Sequence, residues 1–248
     1  MAHLGLADRL ILARNGGLRV PPADMSDSVA SASDAYAIQR RVADAVGPVG
    51  GFKTGRRPGQ DQIMAPIFQK DVRASPAVFT RADIDRIGIE LEVGFIVDRP
   101  LPDVADADFE RRARDCVSAV AALEIVDTRL TDIDAAPPLL RLADNQLNGA
   151  VVIGAPRADW QALDLTTVNA RLDLDSQTVL DGRADVPGGD AFATFCALAR
   201  MIGSHCGGLS PGQVVITGSL NGMPFIERGT PVRGWIDGLG DVAADFPT

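Results

Sequence analysis

The stretch IGIELEVGFIV, residues 87–97, sets Glu90 and Glu92 into an otherwise apolar alternation. Ile87, Ile89, Leu91, Val93, Phe95 and Val97 hold the odd positions, and Gly88, Glu90, Glu92, Gly94 and Ile96 the even ones. A period of two is the signature of a β-strand with one face on a core. It puts both glutamates on the opposite face, with Cα atoms about 6.5 Å apart. Adjacent carboxylates repel unless a cation, a proton or solvent intervenes. On this stretch alone, a half-exposed strand with its acids in water explains the pattern as well as a binding site does. A third acid adds to it. Glu124, in ALEIVDTRL, follows Glu92 by 32 residues on the next strand-like segment, and a helix between two strands is a normal way to set them side by side. Three carboxylates without histidine or cysteine form a hard oxygen site suited to Mg²⁺ or Mn²⁺, with positions left for water or a chelating ligand.

Several elements must position these acids. Leu4, Ala7, Leu10 and Ile11 follow helical spacing and Asn15-Gly16-Gly17 stops that helix. In SDAYAIQRRVADAVG, Tyr36, Ile38, Val42 and Ala45 share a face and Asp34 can cap. The following segment, VGGFKTGRRPGQDQIMAPIF, is rich in Gly and Pro and reads as a loop. After the acidic strand, RPLPDVADADFERRARDCVSAV turns and runs as a helix into ALEIVDTRL. Beyond residue 150 come short β segments (AVVIGA, ARLDLDS, VVITGS, PVRGWID) interrupted by one helix at about 190–203. Helices first and a mostly β body after them make an α+β chain, divided as a helical segment, 1–50, and a β domain, 51–248.

The chain of 248 residues is 46% apolar, enough for a proper core, and carries a formal charge of −9. That charge argues against nucleic acid or an anionic membrane as partner. Cys116, Cys196 and Cys206 are an odd number without paired spacing, which reads as reduced thiols. Asp8 and Arg9 interrupt any signal-peptide run, and no stretch approaches the ~20 apolar residues of a membrane span, so the expectation is a soluble, cytoplasmic protein. No nucleophile elbow, Walker loop or strand-linked dinucleotide fingerprint is present. His3 and His205, in a terminal helix and beside a helix end, make a Ser-His-Asp mechanism improbable. Chemistry is left to carboxylates, Lys, Arg or a metal.

Nearly end to end, the sequence resembles the fumarylacetoacetate hydrolase superfamily, within it the 2-keto-4-pentenoate hydratase branch. DAYAIQ, GFKTG, APIFQKDV, IELEVGFIV, ALEIVDTRL, LADNQLNGAVVIG, LSPGQVVITGS and GLGDVAADF occur in the expected order. The most specific part is the acidic pair followed by the glutamate of EIVDTR, which assigns Glu90, Glu92 and Glu124 to the family's divalent-metal triad. The resemblance also implies Lys53 beside the substrate, Asp71 as an active-site residue, a β sandwich or barrel-like roll preceded by helices, and a homo-oligomer. The implied reaction adds water to a small 2-hydroxy-dienoate, giving a 4-hydroxy-2-oxo acid, as in aromatic-compound catabolism. On that reading Lys53 serves as cation or proton carrier and Asp71 orients the water. Thr217 and Ser219, with the Gly218 N–H, can bind the substrate carboxylate, and Arg56 and Arg57 can clamp a distal acid.

The chain departs from the branch at ADNQLNG, where Leu147 replaces a small polar residue, at Thr230 in GTPV, and in TGRRPGQDQIM after Lys53. Residues 54–70 lack the histidine that acylpyruvate hydrolases carry on a lid. The alternatives are 2-oxo-acid decarboxylation of the 4-oxalocrotonate type, acylpyruvate-type C–C hydrolysis, and a non-catalytic binding or scaffold subunit. Three buried acids kept on faces of small residues argue for catalysis, since uncompensated they cost stability.

Overall fold

The protein is described by a computed structural model covering residues 5–25, 28–56, 59, 61–81 and 83–248. Helices α1 (Leu6–Arg14) and α2 (Ala32–Val46) come first. The α2 cap differs from expectation. Ser31 is the N-cap, its hydroxyl accepting from the Asp34 N–H at 3.2 Å, while the Asp34 carboxylate accepts from the Ser31 hydroxyl at 2.9 Å. The buried stripe of α2 is Ala35, Gln39, Val42 and Ala43, and Ala45 is exposed.

The segment expected to be a loop after α2 is instead the hairpin β1 (Val49–Gly55) and β2 (Ile63–Phe68). Its glycines serve close packing. A Cβ on Gly51 would lie 2.2 Å from the Val214 carbonyl oxygen, and one on Gly50 2.6 Å from the Gln69 Cα, so no larger residue fits there. Pro66 is tolerated because β2 is an edge strand.

The other strands are β3 (Val72–Ala74), β4 (Ala77–Val78), β5 (Ile87–Val97), β6 (Val117–Val126), β7 (Asn148–Ile153), β8 (Thr167–Leu174), β9 (Gln177–Asp185), β10 (Val214–Ser219), β11 (Phe225–Ile226), β12 (Val232–Ile236) and β13 (Gly240–Asp245). Among them lie α3 (Phe109–Ala113), α4 (Pro138–Ala143) and α5 (Ala191–Ile202). The helix expected before β6 is thus one short turn and a half, while α4, β9 and β13 were not anticipated.

One mixed sheet runs β2-β1-β10-β5-β6-β7-β3, with β11 added beside β5, and a second runs β4-β13-β12-β8-β9. The first is an open roll with no closed barrel; its outer strands β2 and β3 are successive in the chain, joined by a turn at Gln69–Asp71.

The alternation of β5 holds throughout. Ile87, Ile89, Leu91, Val93, Phe95 and Val97 are all buried in the main core with residues of β8, β12, β13 and α5. Phe95 anchors that layer, its ring 5.1 Å from Trp160, 5.6 Å from Phe192 and 5.5 Å from Phe195. On the other face Ile67, Ala122, Val151, Val214 and Ile216 form a smaller buried cluster, Ala122 level with Glu92 and Val151 with Glu124. A third cluster joins α1, α2 and α4 to Phe68, Val126 and Leu147. Among the described residues no helix is long and apolar enough to cross a membrane.

Candidate active site and metal centre

Strand register brings the acids together. In the β5–β6 pair Glu90 stands directly opposite Glu124, and Glu92 opposite Ala122. Residues so paired have Cβ atoms about 5 Å apart, and like charges there are destabilising. Lys53 reaches the same face from β1, where it pairs with Ile216 of β10, which in turn faces Gly94 of β5. One oxygen from each of the three glutamates lies within 4.8 Å of the others.

Burial makes the cluster demanding. Glu124 is 0% and Glu92 2% exposed, and Glu90 is half-buried. The Lys53 Nζ donates to Glu124 Oε1 at 2.7 Å and to the Gln146 carbonyl at 3.1 Å. Asn148 Nδ2 donates to Glu124 Oε1 at 2.8 Å, and the Gly218 N–H to Glu92 Oε2 at 2.6 Å. Glu124 Oε2, 2.6 Å from Nζ, has no directed hydrogen bond of its own.

Burial, followed by the charges of Glu124 and Glu90, pushes the Glu92 carboxyl well above the ordinary range, against the pull of Lys53 and the Gly218 N–H. For Lys53, burial alone acts to lower the pKa, but Glu124, Glu90, Glu92 and the hydrogen bond to Glu124 outweigh it and raise it. Lys53 is therefore an ammonium ion at neutral pH, and one positive charge faces three carboxylates.

A divalent cation fits this arrangement. Oxygens on opposite sides of an ion at about 2.1–2.4 Å are ~4.2–4.8 Å apart, matching the 4.8 Å limit of the cluster. The undirected Glu124 Oε2 is a ready ligand atom, and the all-oxygen donor set suits a hard ion.

The remaining sequence candidates fall into different places. Asp71 lies on the turn before Val72, with its carboxylate 3.1 Å from Lys70 Nζ, and takes no part in the hydrogen bonds of Lys53, Glu92 and Glu124. The Thr217 hydroxyl donates to the Val93 carbonyl at 2.9 Å, and the residue is fully buried. Gly218 has φ +121°, and a Cβ there would meet Pro187 at 2.9 Å. Ser219, in register with Glu92, is half-buried and donates to the Gly222 carbonyl at 2.7 Å. Arg56, just past the end of β1, is exposed beside Gln62 and α5. Arg57 and His3 lie outside the described residues. Leu147 is 5% exposed and packs with α1, α2 and α4, so its bulk goes to the helical layer.

The loop that carries Leu147 supplies residues the sequence reading missed. Asn145, Gln146 and Leu147 take φ values of 50°, 49° and 64°, three successive left-handed residues. A buried Arg129 holds them by donating to the Asp144 carboxylate, the Asp144 carbonyl at 2.9 Å and the Asn148 carbonyl at 2.8 Å. The Asp144 carboxylate also accepts from the Thr128 hydroxyl and the Arg129 N–H, each at 2.9 Å. This clamp aims the Gln146 carbonyl at Lys53 and the Asn148 amide at Glu124. Its signal in the sequence was the pair of charged residues in DTR and ADN, both inside segments already singled out.

Residues 39–246 match the family model described as fumarylacetoacetate (FAA) hydrolase C-terminal. The chain belongs to the fumarylacetoacetate hydrolase family. A 2-keto-4-pentenoate hydratase of Burkholderia vietnamiensis strain G4 is 27% identical to it over 260 residues, covering 97% of this chain and 96% of the relative. A 2-keto-4-pentenoate hydratase 1 of Dechloromonas aromatica strain RCB is 30% identical over 166 residues, covering 64% of this chain and 59% of the relative. Among solved structures, the 4-oxalocrotonate decarboxylase of Pseudomonas putida G7, complexed with calcium and acetate, superposes with a TM-score of 0.81 at 18% identity, covering 97% of this chain and 95% of its own. The fumarylpyruvate hydrolase of Pseudomonas aeruginosa, with Mn²⁺ and pyruvate, gives 0.58 at 18% identity, covering 79% of this chain and 88% of its own. These two likenesses establish the fold. The family match and the hydratase relatives make this chain an enzyme of the fumarylacetoacetate hydrolase family.

Proposed function

We propose that this chain is a divalent-metal-dependent hydro-lyase that adds water to a small 2-hydroxy-dienoate of the 2-keto-4-pentenoate type, giving a 4-hydroxy-2-oxo acid. The observation that carries the reading is the convergence of Glu90, Glu92, Glu124 and Lys53 on one face of the larger sheet, in a chain that matches a 2-keto-4-pentenoate hydratase over 97% of its length. Glu90, Glu92 and Glu124 would hold Mg²⁺ or Mn²⁺, which would supply Lewis-acid stabilisation of negative charge on the oxygens of a 2-oxo acid.

The protein's own groups do the rest. Lys53, kept charged by its neighbours, offsets negative charge on the substrate's acid end and can pass a proton across the same short distance. The Gly218 N–H and the Asn148 amide fix the orientations of Glu92 and Glu124. Ser219, level with Glu92, is the proposed contact for the substrate carboxylate; Thr217, its hydroxyl spent on Val93, fixes the strand beneath. Asp71 is the proposed group for orienting the attacking water. It directly precedes Val72, which is in register with Val151 and, one strand further, with Glu124.

The test is the ultraviolet decay of 2-hydroxypenta-2,4-dienoate with Mg²⁺ or Mn²⁺, with products read by mass spectrometry. The expected product carries one added water, and Lys53→Met should lower the rate by about 10²–10⁴-fold. Metal-dependent loss of CO₂ from a 2-oxo diacid, with no hydration of the dienoate, would replace this reading with decarboxylation.

A further inference from the structure

Phe225 is a large apolar side chain left 47% exposed near the carboxylate cluster. Along the β5–β6 pair the acid face runs from Glu92–Ala122 to Glu90–Glu124 to Gly88–Val126. Of the acids, Glu92 is 2% and Glu124 0% exposed while Glu90 is half-buried, and Gly88 and Val126 are themselves buried. In the other direction Ile216 and Val214, level with Gly94 and Ile96 of β5, and Ile67 beside them fill the roll. The half-buried Glu90 and the exposed Phe225 thus mark the approach to the acids.

Phe225 stands on that side. It pairs with Gly88 across β11 and β5, and a Cβ on Gly88 would lie 3.2 Å from its Cε1 and 3.3 Å from its Cζ. The ring thus occupies the space that a side chain at position 88 would take, two residues along the same face from Glu90. Val126, opposite Gly88, would be 2.9 Å from the same Cβ, so both sides of this step are apolar. Two described arginines toward this end, Arg19 and Arg86, are already engaged. Arg19 pairs with Asp85 at 2.8 Å and Asp127 at 3.0 Å, and Arg86 donates to the Thr131 carbonyl at 3.0 Å.

We propose that Phe225 determines specificity: it contacts the carbon tail of a 2-oxo acid whose acid end sits at the glutamate cluster, and selects an apolar tail over one ending in a second carboxylate. The proposal rests on the 2-oxo-acid reading above. An anion set against the ring would lose water and meet the negative face of the π system without a partner. A methylene chain loses only water contact, which favours binding by about fourfold per methylene fully buried.

The test is calorimetric binding of pyruvate, 2-oxopentanoate and 2-oxoadipate to the full chain in saturating Mn²⁺. In the natural sequence 2-oxopentanoate is expected to bind about 4–15-fold tighter than pyruvate, and 2-oxoadipate more weakly than 2-oxopentanoate. Phe225→Ala should bring 2-oxopentanoate within about twofold of pyruvate while leaving pyruvate unchanged, and Phe225→Leu should keep most of the tail gain. Phe225→Arg should reverse the preference toward 2-oxoadipate. A tail gain that survives Phe225→Ala, or equal binding of 2-oxopentanoate and 2-oxoadipate to the natural sequence, would overturn the assignment while pyruvate binding stands. Absence of pyruvate binding to the Mn²⁺-loaded protein would overturn the underlying 2-oxo-acid reading, and this assignment with it.

Discussion

Glu92 and Glu124 are both buried carboxylates, but their surroundings give them opposite effects on the metal-free protein. Glu124 is matched: Lys53 and Asn148 both donate to it. Glu92 receives one backbone N–H and otherwise faces like charge, which is why its carboxyl is pushed upward. Glu92→Gln removes a repelling charge and keeps an oxygen for the Gly218 N–H, so the metal-free protein should melt a few degrees higher than the natural one. Glu124→Gln weakens the pairing of a buried ammonium and should lower the melting temperature. Both variants should lose the rise produced by Mg²⁺ or Mn²⁺, about 2.7 kcal/mol at a hundredfold excess over Kd, or ~5–10 °C at this size. Differential scanning fluorimetry with and without metal checks it. Equal destabilisation by the two substitutions without metal would show that charge repulsion at Glu92 is not the governing term.

At the scale of elements, the loop between α4 and β7 is held in an unfavourable shape by one buried ion pair. Three successive non-glycine residues with positive φ cost roughly 1–3 kcal/mol each. The Arg129–Asp144 pair, 5% and 1% exposed, offsets that cost through its carbonyl and backbone hydrogen bonds. Asp144→Asn strands a buried guanidinium, and breaking one side of such a pair costs about 3–5 kcal/mol. The expected result is a melting temperature lowered by roughly 6–20 °C, with weaker metal binding in isothermal titration, because Asn148 and the Gln146 carbonyl lose their aim. Unchanged metal affinity at a lowered melting temperature would make the clamp purely structural. The charged residues of DTR and ADN were legible, but the shape of the loop was not, since positive φ at Asn145, Gln146 and Leu147 is set by distant partners. The acidic strand was legible because a period of two is local, and Glu90 and Glu92 follow from it directly. Lys53 was not: glycines at 50 and 51 read as loop signals, yet they answer the close approach of Val214 and Gln69 from elsewhere in the chain. Its place was recovered only through family resemblance. The same limit hid β9 and β13, whose partners supply the order that QTVLDGRAD and GDVAAD do not signal.

On the scale of the whole molecule, the helical layer is tied to the larger sheet by the buried Gln39. Its Nε2 donates to the Leu142 carbonyl at 2.7 Å and the Met64 carbonyl at 3.2 Å, while its Oε1 faces His205 Nε2 at 2.9 Å. One side chain of α2 thus joins α4, the β1–β2 hairpin and the turn after α5. Because Oε1 accepts, His205 presents Nε2–H and leaves Nδ1 unprotonated toward Arg40 Nη1 at 3.5 Å. Burial, and then the Arg40 charge, lower its pKa from 6.5 to about 4. A histidine disfavoured in its charged form makes the unfolded chain the better proton acceptor between those values. Stability is therefore complete above about pH 6.5 and falls as the pH drops toward 4. His205→Gln removes the titrating group while keeping a donor for Gln39, so it should be less stable than the natural protein at pH 7 through imperfect packing against Tyr36, whose ring centroid lies 5.3 Å away. The difference should narrow steadily as the pH is lowered to 4.5. Thermal melts at pH 7.0, 6.0, 5.0 and 4.5, all without metal so that the carboxylate cluster contributes equally to both proteins, measure the convergence. Parallel melting curves across that range would mean that the junction between helices and sheet is held without regard to the charge on His205.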